Sequence, residues 1–165
     1  YSHNIDQPSK VCNNVGMGDQ QQPPWRQAAT HTLHASLLIK AELEQRLHEE
    51  TGMLLADNEA LLNAGHADAP LRMSEIASRL VLSPGGATKV IDRLEKMGYV
   101  TRSPDPHDRR ATVVEITAAG REAMTRNREI IDTGLRAVWA DHVTDEEAQL
   151  IVEVMDRVAH ARQST

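Results

Sequence analysis

Apolar residues along this chain recur mostly at helical spacing, and only briefly in the alternation of a strand. The clearest stripe is Ala87, Val90, Ile91, Leu94 and Met97, one face of an amphipathic helix. Ser83 stands before it as an N-cap, and Pro84 takes the first helical position, where its missing donor costs nothing. Gly98 supplies the stop. A shorter helix, 74–80, precedes it and is predicted to bury Ile76, Ala77 and Leu80. Only Val81 and Leu82 separate that helix from the cap at Ser83. After Gly98, the stretches 99–102 and 111–116 read as strands, with Thr112, Val114 and Ile116 on one face of the second. The intervening loop, 103–110, holds two prolines and returns through Arg109 and Arg110.

Longer helices are predicted on both sides of this centre. One runs from about Trp25 to Glu50, with Leu33, Ser36, Leu37, Ala41, Leu43 and Leu47 on a broad face and Gly52 at its end. Asp57 is placed to cap a short helix, 58–64, that stops at Gly65, and 66–70 reads as a loop. Thr117 caps a helix from Ala118 to about Ala140, with Met124, Ile131, Leu135 and Val138 on one side. Thr144 and Glu147 form a capping box for a last helix striped by Ala148, Ile151, Val152, Met155, Val158 and Ala159. Residues 1–24 are polar and aperiodic, a disordered leader. Met17 is the first methionine, which leaves open whether 1–16 are native.

Two short helices joined so tightly form a helix-turn-helix, and a hairpin directly behind one is a wing. The residues Leu94-Glu-Lys-Met-Gly-Tyr-Val100, then Arg102, Asp108-Arg-Arg110 and Ile116-Thr-Ala-Ala-Gly120 resemble the MarR-type winged-helix transcriptional regulators. The likeness covers Trp25 to Ala161 in element order, and its specific motifs lie within 83–120. The fold expected is therefore mainly α with a small β-hairpin wing. A winged helix-turn-helix DNA-binding module at 57–117 is flanked by an N-terminal dimerisation helix, 25–52, and C-terminal dimerisation helices, 118–162. From the pattern alone, the terminal stripes either pack on each other within one subunit or meet a second copy. The resemblance implies the second, a homodimer that reads two half-sites about one helical turn apart.

Charge changes the picture more than composition does. The chain carries a net charge of −6, yet residues 72–110 hold eight Lys and Arg against five Asp and Glu, a local +3. A basic patch on an acidic body suits duplex DNA, whose phosphates supply most nonspecific affinity. Two Trp, two Tyr and no Phe argue against a single-strand binder that stacks bases on aromatic rings. No segment reads as a signal peptide or a membrane span, and the one cysteine, Cys12, excludes an internal disulfide; a cytoplasmic protein is expected.

Candidate site residues follow from the helix phase. With the Val90 stripe inward, Gly85, Thr88, Lys89, Asp92 and Lys96 face outward and Arg93 sits on the flank. Gly86 falls at the edge of the buried side, where a missing Cβ lets the two helices approach. Lys89 suits guanine acceptors and Thr88 a base or a thymine methyl, while Ser83 and the first-turn amides can hold a phosphate. The resemblance implies that Arg110 enters the minor groove, oriented by an ion pair from Asp108, with Arg109 as a further contact; Arg93 and Arg102 are also counted among the DNA-binding candidates. Gly85 offers no side chain, so DNA shape is expected to carry much of the specificity.

The resemblance also implies a small, often aromatic or anionic ligand in a cleft, with Trp25, His31, His34, Leu38 and Met53 as candidate lining. Helix packing is the alternative role for Leu38 and Met53. No nucleophile elbow, phosphate loop or His-Glu-x-x-His pattern marks an enzyme. His31 and His34 share a helix face, but no further His or Cys stands at ligand spacing, so neither a metal nor a cofactor is assigned. The competing function is a winged helix used as a protein-interaction module without DNA binding.

Overall fold

Capping groups, local and distant, set the helix boundaries in the computed structural model, which describes residues 22–108 and 110–161. In chain order the elements are α1 (Pro24–Thr51), α2 (Leu55–His66), β1 (Leu71–Arg72), α3 (Met73–Arg79) and α4 (Pro84–Lys96). There follow β2 (Val100–Pro104), β3 (Thr112–Ile116), α5 (Ala118–Trp139) and α6 (Asp145–Ala161). The first part of α1, through Leu37, is one structural unit, and everything from Leu38 onward is a second. No described helix is long and apolar enough to cross a membrane.

The predicted caps at Ser83, Thr117 and Thr144 are all present. Ser83 and Thr117 accept from the amides of Gly86 and Gly120, and Thr144 and Glu147 close their box reciprocally. Asp57 is different. It is the third residue of α2 and not its cap: its carboxylate accepts from the Leu54 amide at 3.0 Å. The helix starts earlier because Glu44 of α1 accepts from the Leu55 amide at 2.8 Å, a tertiary cap that no local pattern announces. It also runs through Gly65, whose open side faces Met124 of α5.

The core lies in the second unit. Leu47, Met53, Leu61, Ile76, Ile91, Leu94, Val100 and Val114 are fully enclosed, and each apolar side chain of this size contributes roughly 1.5–3 kcal/mol. Ile76 and Ala77 of α3 are buried as expected, whereas Leu80 is only half-buried against this core. The sheet is antiparallel with strand order β1-β3-β2, so the expected hairpin gains a third strand from a segment too short for alternation to show. Its register pairs Arg102 with Val114 and Arg72 with Val113. Val113, which alternates to the other face of β3 from Val114 and Ile116, is buried as well.

Three apolar stripes differ from expectation. Met97 is exposed because α4 ends at Lys96 and Met97 is its C-cap, followed by Gly98 at φ +76°. On α5 the buried seam is Gly120, Ala123, Asn127 and Gly134, with Met124, Ile131, Leu135 and Val138 half-buried at its side. On α1 only Leu43 and Leu47 are buried; Leu33, Ser36, Leu37 and Ala41 are exposed. None of α6 is buried, although its stripe is as regular as predicted. Residues 1–21 of the leader, Cys12 among them, fall outside the described residues, and Pro24 already opens α1.

Candidate nucleic-acid interface

The outward face of α4 begins at its cap. The Ser83 hydroxyl accepts from Gly86 at 3.2 Å, and Pro84 needs no partner for its nitrogen. Nothing lies within 4 Å of the Gly85 position, so the first turn presents bare backbone, which allows close approach of a phosphate. A Cβ on Gly86 would meet Ser83 and Leu82, so this glycine fits the connecting turn and not α3. Thr88, Lys89, Asp92 and Lys96 are all exposed, as the helix phase requires. The Thr88 hydroxyl donates to the Pro84 carbonyl at 2.9 Å.

Two predicted DNA-facing arginines are engaged within the protein. Arg93 turns toward α2, its Nε 3.0 Å from both oxygens of the fully buried Asp57 and its Nη2 2.5 Å from one of them. This hydrogen-bonded pair holds the Arg93 guanidinium above its ordinary pKa, against a partial desolvation. The pair joins α4 to α2 and ties Arg93, expected among the DNA contacts, into the protein. Arg102 leaves β2 and reaches back over α4. Its Nη1 donates to Glu95 at 2.6 Å, and its Nη2 to Asp92 at 2.7 Å and to the Thr88 carbonyl at 3.3 Å.

The wing is organised by a residue that the sequence reading passed over. Asp105 is buried at the base of the loop and accepts from the amides of His107 at 2.7 Å and Asp108 at 3.2 Å. It also receives Arg72 Nε at 2.6 Å. The His107 amide chiefly lowers the Asp105 pKa, Arg72 adds to the effect, and burial opposes it. An Asp between two prolines is a turn signal, so the hub was findable; its partner on β1 was not. Asp108 then accepts from the Arg110 amide at 3.0 Å, and the Ala111 amide returns to the Asp108 carbonyl at 2.9 Å. The expected carboxylate–guanidinium pair is thus replaced, among the described contacts, by a turn closed on the Arg110 backbone. Arg110 is exposed at the tip, and Arg109 lies outside the described residues.

The exit from the wing explains its Thr-x-x-Gly pattern. Thr117 donates its hydroxyl to the Gly98 carbonyl at 2.7 Å and its amide to Tyr99 at 3.0 Å. A Cβ on Gly120 would fall 2.1 Å from the Tyr99 carbonyl oxygen, so only glycine lets α5 start here.

The candidate ligand residues lie on α1 and directly after it. Trp25, His31, His34 and Leu38 are exposed on α1. Met53 is fully buried, with its sulfur 3.3 Å from Asn127 Nδ2; it is a core residue and lines no open cleft. A groove of about 270 Å³ instead lies between the end of α1 and α5, with Arg46, Glu50, Arg126 and Glu129 among its walls.

A capped recognition helix beside a three-stranded wing defines the class as a winged helix-turn-helix protein. Comparison with known proteins makes the class specific. The MarR family model matches residues 61–112. The HTH-type transcriptional regulator YkoM of Bacillus subtilis is 31% identical over 103 residues, covering 62% of this chain and 67% of that protein. Across three B. subtilis regulators the matched part is 58–67% of their own length. The solved structure of Sco3205, a MarR family transcriptional regulator from Streptomyces coelicolor in complex with DNA, superposes with a TM-score of 0.74 at 24% identity. That match covers 86% of this chain and 92% of that one. CouR from Rhodococcus jostii RHA1, bound to p-coumaroyl-CoA, gives 0.70 at 19% identity, covering 84% and 95%. The chain belongs to the MarR family of transcriptional regulators.

Proposed function

We propose that this chain is a homodimeric repressor that binds a pseudo-palindromic duplex operator and is released by a small aromatic or anionic ligand. The observation that carries the DNA reading is the shared exposure of Thr88, Lys89 and Lys96 on α4 and of Arg110 on the wing tip. In this reading α4 lies in the major groove, Lys89 and Thr88 meet base edges, and Ser83 with the bare Gly85 turn holds a phosphate. Arg110 enters the minor groove, joined by Arg109, where narrow A·T-rich sequence favours it. Asp108 supports Arg110 by shaping the turn that carries it.

Dimerisation is supported by apolar side chains left uncovered on α6 and on the first part of α1. A second copy brings the second half-site reader. Release by a ligand is supported by the family and by the neighbour bound to p-coumaroyl-CoA. Trp25, His31, His34 and Leu38 are accessible to such a ligand, and a thermal-shift screen of small aromatic acids tests it.

The deciding experiment is a gel shift against the DNA upstream of the chain's own gene, across salt concentrations. A repressor binds with an affinity that falls steeply with salt, and Arg110→Ala weakens it by about tenfold or more. A protein-interaction module would shift no duplex at any salt concentration, and that result would overturn the proposal.

A further inference from the structure

The outward face of α4 carries its own obstacle to DNA. Asp92 and Glu95 are interleaved there with Lys89 and Lys96, all four exposed, so these four side chains together offer a phosphate backbone no net positive charge, while the fifth charge of the helix, Arg93, is paired with Asp57. Arg102 alters that balance. Its guanidinium spans both carboxylates, at 2.7 Å from Asp92 and 2.6 Å from Glu95, and touches the Thr88 carbonyl at 3.3 Å. Its side chain is 22% exposed, while the two acids remain 57% and 43% exposed. Exposed ion pairs of this kind contribute little to folding stability. Their effect is on the field above the helix, where a phosphate arrives.

We propose that Arg102 is a charge-covering residue: it neutralises the two carboxylates on the recognition helix and thereby sets how closely α4 can approach duplex DNA. It is not itself a base or phosphate contact, and the acids are a brake on binding that the cover releases only in part. The inference rests on α4 and the wing being the DNA face. A purely mechanical role, anchoring β2 on α4, predicts the opposite response when the acids are removed.

The test uses fluorescence anisotropy of a labelled mixed-sequence duplex, titrated with the whole chain at several potassium chloride concentrations. Arg102→Gln is expected to weaken binding about tenfold while the melting temperature barely moves. Adding Asp92→Asn and Glu95→Gln to that variant should restore the wild-type affinity or exceed it. In the wild-type background, the Asp92→Asn/Glu95→Gln pair should tighten binding several-fold and steepen the log–log salt slope by about one. That pair keeps the test decisive if Arg102→Gln does not fold. Weaker binding by the pair, or a triple variant as weak as Arg102→Gln, would show an anchor and overturn the inference. Failure of the wild-type chain to bind at low salt would remove the DNA reading itself, and the inference with it.

Discussion

Helices α4 and α6 carry equally regular apolar stripes, yet their fates differ. On α4, Val90, Ile91 and Leu94 are at most 4% exposed, covered by the rest of the winged module. On α6, Ile151, Val152, Met155 and Val158 range from 37% to 58% exposed among the described residues. Periodicity therefore identifies which face seeks apolar cover but not what supplies it. For α4 the cover is intramolecular. For α6 it is a second copy, in the reading proposed here.

That contrast can be sharpened by cutting into each region. The largest effect is expected for Leu94→Ala, at about 2–5 kcal/mol of unfolding free energy by urea denaturation, whatever the protein concentration. Met155→Ala should instead leave dilute protein almost unchanged and lower stability only where the copies associate. Arg93→Ala comes next. It leaves the buried Asp57 carboxylate without its partner, a loss of about 2–3 kcal/mol once the 37% exposure of the arginine is discounted. A smaller gain is expected at Val81, a β-branched residue held at φ 55° and 90% exposed in the turn between α3 and α4. Val81→Gly should relieve that strain and raise stability by about 1 kcal/mol, read as a higher urea midpoint.

The smallest effect concerns pH and is confined to the wing. The folded-state pKa of Asp105 is lowered, so its contribution is complete above the ordinary carboxylate value near 3.9 and is lost as pH falls through the lowered one. Amide exchange at His107 and Asp108 should quicken over that acid range. Asp105→Asn should remove the dependence, and identical pH profiles for the two proteins would contradict the hub.

The helix-turn-helix and wing were legible in the sequence because their signals are local. Ser83, Pro84, Gly98 and Thr117 act within a turn or two of where they stand, and each is found where its chemistry places it. What the sequence concealed depends on distant partners. Glu44 moved the start of α2. Asp57 drew Arg93 toward α2, and Arg72 reached Asp105 across the sheet. Hydrophobicity also misjudged α5, where the closely packed seam uses glycine and Asn127 in place of large apolar side chains. Asn127 donates to Asn58 at 2.9 Å, a buried polar link that an apolar count cannot register. The outward residues Thr88, Lys89 and Arg110 were legible from phase and motif, whereas the cover that Arg102 lays over Asp92 and Glu95 needed coordinates.

The claim underlying the whole account is that the uncovered stripes of α6 and the first part of α1 are closed by a second copy. Sedimentation equilibrium tests it most directly. The account predicts a particle of twice the 18.3 kDa chain mass, reduced to a single chain by Ile151→Glu with Val158→Glu. A wild-type protein that sediments as one chain at every concentration would contradict it.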